Sequence, residues 1–142
     1  MVALASLTGD DVDGESRGAR DPRVRVVAKS GEVVCTHCEV EEGVFGRMRG
    51  LLGRRGLEPG GGMLLAPAPS VMTFFMRFSI DVVFLDREHR IVGISHTMRP
   101  WRVAAARHAF AALELPAGTA AACGLQKGDV LEIGAPARPN SD

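Results

Sequence analysis

The feature that most constrains the fold of this chain is the apolar stretch MTFFMRFSIDVVFLD, residues 72–86, which has Asp81 near its centre. Alternation of side chains predicts a strand whose even positions, from Met76 to Phe84, form an unbroken apolar face. The odd positions begin polar and become apolar at Val83. A strand that is apolar on both faces lies within a core, so Asp81 is predicted to mark where a half-exposed strand becomes buried.

The rest of the sequence predicts short strands around this one. Apolar alternation between turn residues predicts strands at 23–28, 32–40, 63–66, 91–94, 110–116 and 127–134, with 97–109 mostly loop. Residues 41–55 predict an amphipathic helix, and Thr119 is predicted to cap a short one that ends at Gly124. The predicted fold is therefore α+β: a small single domain, mainly antiparallel sheet of about seven short strands, partly barrel-like, with one longer and one short helix.

Length and charge limit the classes of partner. The 142 residues suit one domain, expected at 23–134, between disordered tails at 1–22 and 135–142. Lys plus Arg and Asp plus Glu both number 17, which favours neither nucleic acid nor an anionic membrane as partner. Three cysteines do not make a disulfide framework, and no apolar run is long enough to span a bilayer. The start of the chain has no basic region typical of a signal peptide, so we expect a cytoplasmic protein, monomeric or weakly dimeric.

Three stretches together resemble a known family. They are FGRMRGLLGRRGL (45–57), SVMTFFMRFSIDVVFLDREHRIV (70–92) with RPWR (99–102), and LELPAGTAAACGLQKGDVLEI (113–133). Their order and spacing are similar to those of domain-of-unknown-function family 192, a group of small bacterial and archaeal proteins. The resemblance implies an architecture and no reaction. Met72 stands where the family often has histidine, which removes an acid–base or metal-binding group; Ser79 and His89 replace a common proline and glycine.

The sequence favours a non-enzymatic protein that binds a small ligand or a protein partner, without a cofactor or metal. Its predicted site comprises Arg47, Thr73, Asp81 and Trp101. A carboxylate at the border of a core costs several kcal/mol unless it is paired, so Asp81 requires a partner. An arginine, either Arg47 on the predicted helix or Arg77 on the strand, or a set of backbone amides could provide it.

Two other hypotheses remain open at this point. The first is an enzyme that uses Asp81 as acid or base and Arg47 as a clamp for an anion. The second is a metal or thiol module at Cys35 and Cys38, whose C-x-x-C spacing suits zinc or redox chemistry. A straight strand would place these two cysteines on opposite faces, which disfavours a shared metal. Buried thiols are the simpler interpretation.

Overall fold

The computed structural model describes residues 2–4, 23–42 and 54–136, and within these ranges the chain is built mainly of β-strands. The described elements are β1 (Val2–Leu4), β2 (Arg23–Val27), β3 (Val33–Glu42), β4 (Gly61–Ala66), β5 (Ser70–Met72), β6 (Ile80–Leu85), β7 (Ile91–Met98), β8 (Val103–Ala105), β9 (Ala111–Pro116), α1 (Thr119–Ala122) and β10 (Glu132–Gly134).

The strands form two sheets. A seven-stranded sheet has the order β10-β2-β3-β4-β9-β6-β7, and a three-stranded sheet has the order β1-β5-β8. Neighbouring strands are antiparallel except β3 and β4, which pair in parallel. The predicted antiparallel sheet therefore contains one crossover, because the chain between β3 and β4 must return to the end of the sheet at which β3 began.

The large sheet has a hydrophobic core on each of its two faces. Every residue of β6 is buried. Its even positions Ile80, Val82 and Phe84 enter one core, and Val83 and Leu85 enter the other. Burial on both faces at this end of the stretch confirms the expectation from its sequence. The strand is nevertheless shorter than predicted, because residues 73–79 form turns in which the amide of Met76 donates to the carbonyl of Thr73, 3.2 Å away.

The helices and the loop before β9 differ from the prediction at several points. Glu41 and Glu42, expected in the longer helix, belong to β3, and Arg54 and Arg55 lie in irregular chain. The rest of that helix, residues 43–53 with Arg47, lies outside the described residues, as do 5–22 and 137–142. The short helix is present and spans Thr119–Ala122, but Thr119 does not cap it: the N-cap is Gly118, and no side chain of the helix itself makes a capping hydrogen bond. The predicted loop 97–109 contains strand β8, which pairs with β5.

A β-bulge corrects the prediction that Cys35 and Cys38 point to opposite faces. Val24 pairs with Cys38 and Val26 with Cys35, so two steps along β2 match three along β3. The amides of Thr36 and His37 both donate to the carbonyl of Gly60, at 2.9 and 3.4 Å. The extra residue of the bulge shifts the side-chain alternation of β3 by one position. Cys35 and Cys38 therefore point to the same face, and both thiols are buried in the same core. Counting alternate residues fails here because a bulge adds a residue without a partner.

Gly62 on β4 allows the chain to pack closely above this thiol pair. A Cβ atom at this position would lie 2.7 Å from the carbonyl oxygen of Glu114 and 3.1 Å from Sγ of Cys35. The first distance is shorter than van der Waals contact, and both the Glu114 carbonyl and β4 are held by the sheet ladder. Only glycine therefore fits between β9 and the thiol of Cys35 without displacing a strand.

We predict that Gly62→Ala lowers the free energy of unfolding by about 1 to 3 kcal/mol, because the methyl group must displace backbone. Gly134→Ala on β10 is the matched control, since a Cβ there meets no atom within 4 Å. Urea unfolding followed by circular dichroism measures both variants. Equal stability of the two variants would show that β4 and β9 are not packed as described.

Candidate functional site

Asp81 is completely buried, and its carboxylate is bound by backbone amides. Oδ1 accepts a hydrogen bond from the amide of Thr97 at 2.8 Å. Oδ2 accepts from the amides of Gly118 at 3.0 Å and Ala120 at 2.9 Å. The carboxylate therefore joins β6 to the end of β7 and to the first turn of α1. It also satisfies amide groups at the start of α1, where no capping side chain from the helix itself makes a hydrogen bond.

The two arginines considered as partners of Asp81 are placed differently. Arg77 is exposed, and in the parts of the chain that the structure describes the hydrogen bonds of Asp81 come from amides alone. Arg47 lies outside the described residues. Of the partners that the sequence left open, backbone amides are therefore the ones observed. Three amide donors can stabilise a buried carboxylate without a counter-ion.

Thr73 is also completely buried and holds the loop between β7 and β8. Its hydroxyl donates to the carbonyl of Arg99 at 2.6 Å and accepts from the amide of Arg102 at 2.9 Å. Its carbonyl accepts from the amide of Trp101 at 3.0 Å, and its amide donates to the carbonyl of Arg102 at 2.8 Å. Hydrogen bonds with Asp81 and Thr73 thus hold the two ends of the segment that carries Trp101.

Trp101 forms an exposed cluster with two phenylalanines, which we name the aromatic platform (Phe74, Phe75 and Trp101). The ring centroids of Trp101 and Phe75 are 4.7 Å apart, and those of Trp101 and Phe74 are 5.7 Å apart. Phe75 is 69% exposed and Trp101 is 55% exposed. Both adopt a positive φ, 66° and 65°, which is strained for aromatic residues and indicates that the surrounding structure imposes it.

Sequence reasoning found Trp101 but missed the two phenylalanines. Alternation placed both of them in a continuous strand, where their exposure is not visible. The structure brings Thr73 and Trp101 together, and Asp81 reaches the same loop through Thr97. The signal that was available is the adjacent pair Phe74-Phe75, because two neighbouring residues of a strand cannot share one buried face.

Glu114 is a second buried carboxyl group that the sequence analysis did not single out. It lies on β9 between Met63 and Val82 of the neighbouring strands. Neither oxygen has a hydrogen-bond partner among the described residues. Burial raises the pKa of Glu114 well above its ordinary value, opposed by the positive charge of Arg54. Burial therefore favours the neutral, protonated form of this side chain.

A polar cavity of about 350 Å³ lies beside β3 and β4, two interior strands of the seven-stranded sheet. Its lining includes His37 and the ion pair between Arg54 and Glu39, whose charged atoms are 2.8 Å apart. Both side chains of this pair are exposed by about 40%, so the pair contributes little to stability.

The two thiols of β3 interact with each other. A hydrogen bond from Cys38 lowers the pKa of Cys35, while the same bond and burial raise the pKa of Cys38. Both are completely buried, which closes them to solvent. Within the described ranges, no group of three or more His, Cys, Asp or Glu side chains is arranged to hold a metal ion.

Comparison with known proteins identifies the family. The profile of DUF192, described as "Uncharacterized ACR, COG1430", matches residues 25–133. The chain belongs to this family. The resemblance found in the sequence is thereby confirmed, and the match takes in Thr73, Asp81 and Trp101.

Individual relatives agree with this assignment. A UPF0127 protein of Pyrococcus abyssi is 40% identical over 60 residues, which are 42% of this chain and only half the length of that relative. A protein of Sinorhizobium meliloti described as a candidate transcription regulator has a similar structure, with a TM-score of 0.69 and 28% identity over 78% of this chain and 92% of its own.

A protein of unknown function from Novosphingobium aromaticivorans shares the fold, with a TM-score of 0.68 and 24% identity over 78% of this chain and 83% of its own. In the part of the DUF192 chain that the structure describes, no helix is both long and apolar enough to cross a membrane.

We predict that Asp81→Asn lowers the free energy of unfolding by about 2 to 4 kcal/mol, because the new NH₂ group must face at least one amide donor. Asp86→Asn is the matched control: Oδ1 of Asp86 alone accepts the amides of Glu88 and Arg90, both at 2.9 Å. An asparagine oxygen can accept both of those bonds, so the control should lose less than about 1 kcal/mol. Chemical unfolding measures the difference, and equal losses would contradict the role given to Asp81.

We predict that Glu114 makes the protein less stable as pH rises. Above its ordinary pKa of 4.5 the unfolded chain releases the Glu114 proton, while the folded chain keeps it up to the raised pKa. The free energy of unfolding should then fall by about 1.4 kcal/mol per pH unit in that interval. Glu114→Gln removes this slope. Unfolding measured at several pH values tests it, with Glu88→Gln at an exposed position as control; an unchanged slope in Glu114→Gln would refute the prediction.

Proposed function

We propose that this DUF192 protein is a non-enzymatic binding protein whose protein partner docks on the aromatic platform. The observation that carries the proposal is the exposure of Phe75 and Trp101, 69% and 55%, on loops fixed by buried hydrogen bonds. Trp and Phe supply large contact areas at interfaces, and Trp is enriched among the residues that contribute most binding energy.

The rigidity of the platform supports a binding role. Trp101 is held through its own amide by the carbonyl of Thr73, and the next residue is held by the hydroxyl of Thr73. An anchor that is fixed before binding loses little conformational entropy in the complex. The strained φ values of Phe75 and Trp101 are the cost of presenting both rings outward.

The exposure of the rings favours a protein over a small molecule. Sites for small molecules are concave and enclose most of the ligand surface. Phe75, with more than two thirds of its surface exposed, offers no walls that could enclose a ligand. A macromolecular surface can cover the platform without such walls.

The positions of the other predicted site residues support the same proposal. Asp81 is buried and both its oxygens accept amide hydrogen bonds, so its use as acid or base would break the contacts that hold β7 and α1. Thr73 holds the platform through hydrogen bonds to Arg99 and Arg102, and we keep Arg47 as a proposed member of the site. A cytoplasmic location is part of the proposal, since Cys35, Cys38 and Cys123 are free thiols.

Site-specific photo-cross-linking in cells tests the proposal. A benzoyl-phenylalanine at Val103, which is 56% exposed and follows the platform in sequence, should yield a discrete adduct with one partner. The same residue at Val130, 40% exposed and on a different loop, is the control and should not. The adduct should disappear when Phe75→Ala and Trp101→Ala are added.

Adducts of equal yield at both positions, or adducts that persist without the two rings, would contradict docking on the platform. An adduct of twice the mass of the chain would identify a second copy as the occupant. Thermal unfolding of the double variant serves as the control for folding, and we expect it unchanged, since both rings are mostly exposed.

A further inference from the structure

The two chain segments that carry the aromatic platform are positively charged, although the protein as a whole is neutral. The platform and the loop that holds it belong to two segments, 67–80 and 89–113, which contain no Asp or Glu. They contain five arginines: Arg77, Arg90, Arg99, Arg102 and Arg107. The net charge of the whole chain is zero, but its basic and acidic residues are unevenly distributed. The acids that balance these five arginines lie elsewhere in the chain.

A hollow next to the platform concentrates this charge. It has a volume of about 460 Å³ and lies between the end of β7 and the start of β8. Arg99, Arg102 and His96 line it together with hydroxyl groups and apolar atoms, and among the described residues no acidic side chain does. Arg99 and Arg102 lie within two residues of Trp101 in the sequence, so the hollow and the platform share one loop.

The arginines of this region retain donors for a partner. Arg102 donates one hydrogen bond to the carbonyl of Trp101 at 3.3 Å, and a guanidinium group has five N–H donors. Arg77, Arg99 and Arg102 are exposed, and in the described ranges none of them forms an ion pair. Unpaired guanidinium groups beside exposed aromatic rings are a typical setting for binding carboxylates.

Two strand edges border the same hollow. β7 is the last strand of the seven-stranded sheet, and β8 is the last strand of the three-stranded sheet. Within the described chain, the outer sides of β7 and β8 therefore have no strand partner, although the amide of Thr97 is already bound by the carboxylate of Asp81. Such edges bind extended peptide segments by adding them as a further strand.

We propose that the partner contributes an extended acidic segment, which places an apolar side chain on the aromatic platform and its carboxylates in the hollow of Arg99 and Arg102. This inference rests on the proposed function and adds the chemistry of the partner. We propose an acidic segment because the hollow is positively charged, and an extended one because strand edges border the hollow.

The same charge could attract a single-stranded nucleic acid, but the shape of the platform favours a peptide. Proteins that bind single strands present separate aromatic faces along a groove, one for each stacked base. Here the three rings form one compact cluster, in which Trp101 packs against both phenylalanines at 4.7 and 5.7 Å. A single aromatic cluster bordered by arginines suits a peptide in which one apolar side chain is flanked by acidic residues.

Three fluorescein-labelled peptides test the proposal. They share a central Phe-Leu pair and differ at the flanking positions, which are all Glu, all Gln or all Lys; an oligothymidylate is the fourth probe. We expect the Glu peptide to bind most tightly by fluorescence anisotropy and to weaken as NaCl rises from about 50 to about 500 mM. Arg99→Gln with Arg102→Gln should weaken it about three- to tenfold. Arg55→Gln, a charge change at another exposed arginine, should leave affinity unchanged.

The variants separate failure of this inference from failure of the proposed function. If the Glu and Gln peptides bind with equal affinity and both require Phe75 and Trp101, docking on the platform is supported, and the proposal that the partner is acidic is refuted. If no peptide responds to Phe75→Ala with Trp101→Ala, both proposals are refuted. Tighter binding of oligothymidylate, with the same dependence on Arg99 and Arg102, would replace the peptide by a nucleic acid.

Discussion

The hydrogen bonds of one buried carboxylate join three elements at one end of this fold. Asp81 lies in β6, the strand buried on both faces, and its three amide partners belong to the end of β7 and the start of α1. Gly118, one of these partners, has a φ of 93°, which glycine adopts without strain. A strand buried on both faces thus holds the end of β7 and the start of α1, and the loop after β7 starts from a defined point.

Display of the aromatic rings depends on that anchoring. Exposed aromatic side chains on a mobile loop would collapse onto apolar surface, because burial of an aromatic ring is favourable. Asp81 fixes the loop at Thr97, and Thr73 fixes it from Arg99 to Arg102. Hydrogen bonds buried beneath the loop therefore offset the tendency of Phe75 and Trp101 to bury themselves. The site divides into a polar support inside the protein and an apolar contact surface outside.

The sequence predicted the strands better than their connections, for a physical reason. Periodicity reports burial, so it located β6, β7 and β9; it placed Asp81 at the border of the core, whereas the side chain is completely buried. It cannot report a bulge, and the extra residue of β3 reversed the expected side of Cys38. It also cannot separate an exposed apolar residue from a buried one, so Phe74 and Phe75 were assigned to a strand. The partner of Asp81 depended on loops whose path no local pattern encodes.

Asp81 and Glu114 show that a buried carboxyl group alone does not identify a site. They occupy neighbouring strands, where Asp81 pairs with Leu115 and Glu114 with Val82. Successive residues point to opposite faces, so Asp81 meets the amides of the turn before α1, whereas Glu114 meets apolar side chains. Asp81 has hydrogen-bond partners for both carboxylate oxygens and stabilises the fold. Glu114 has no hydrogen-bond partner among the described residues, so its burial destabilises the fold. With no hydrogen bond in the described chain to offset its burial, the Glu114 carboxyl costs stability at a position where an apolar side chain would not. Burial therefore has opposite consequences for two carboxyl groups on adjacent strands, according to whether the face they enter offers amide donors.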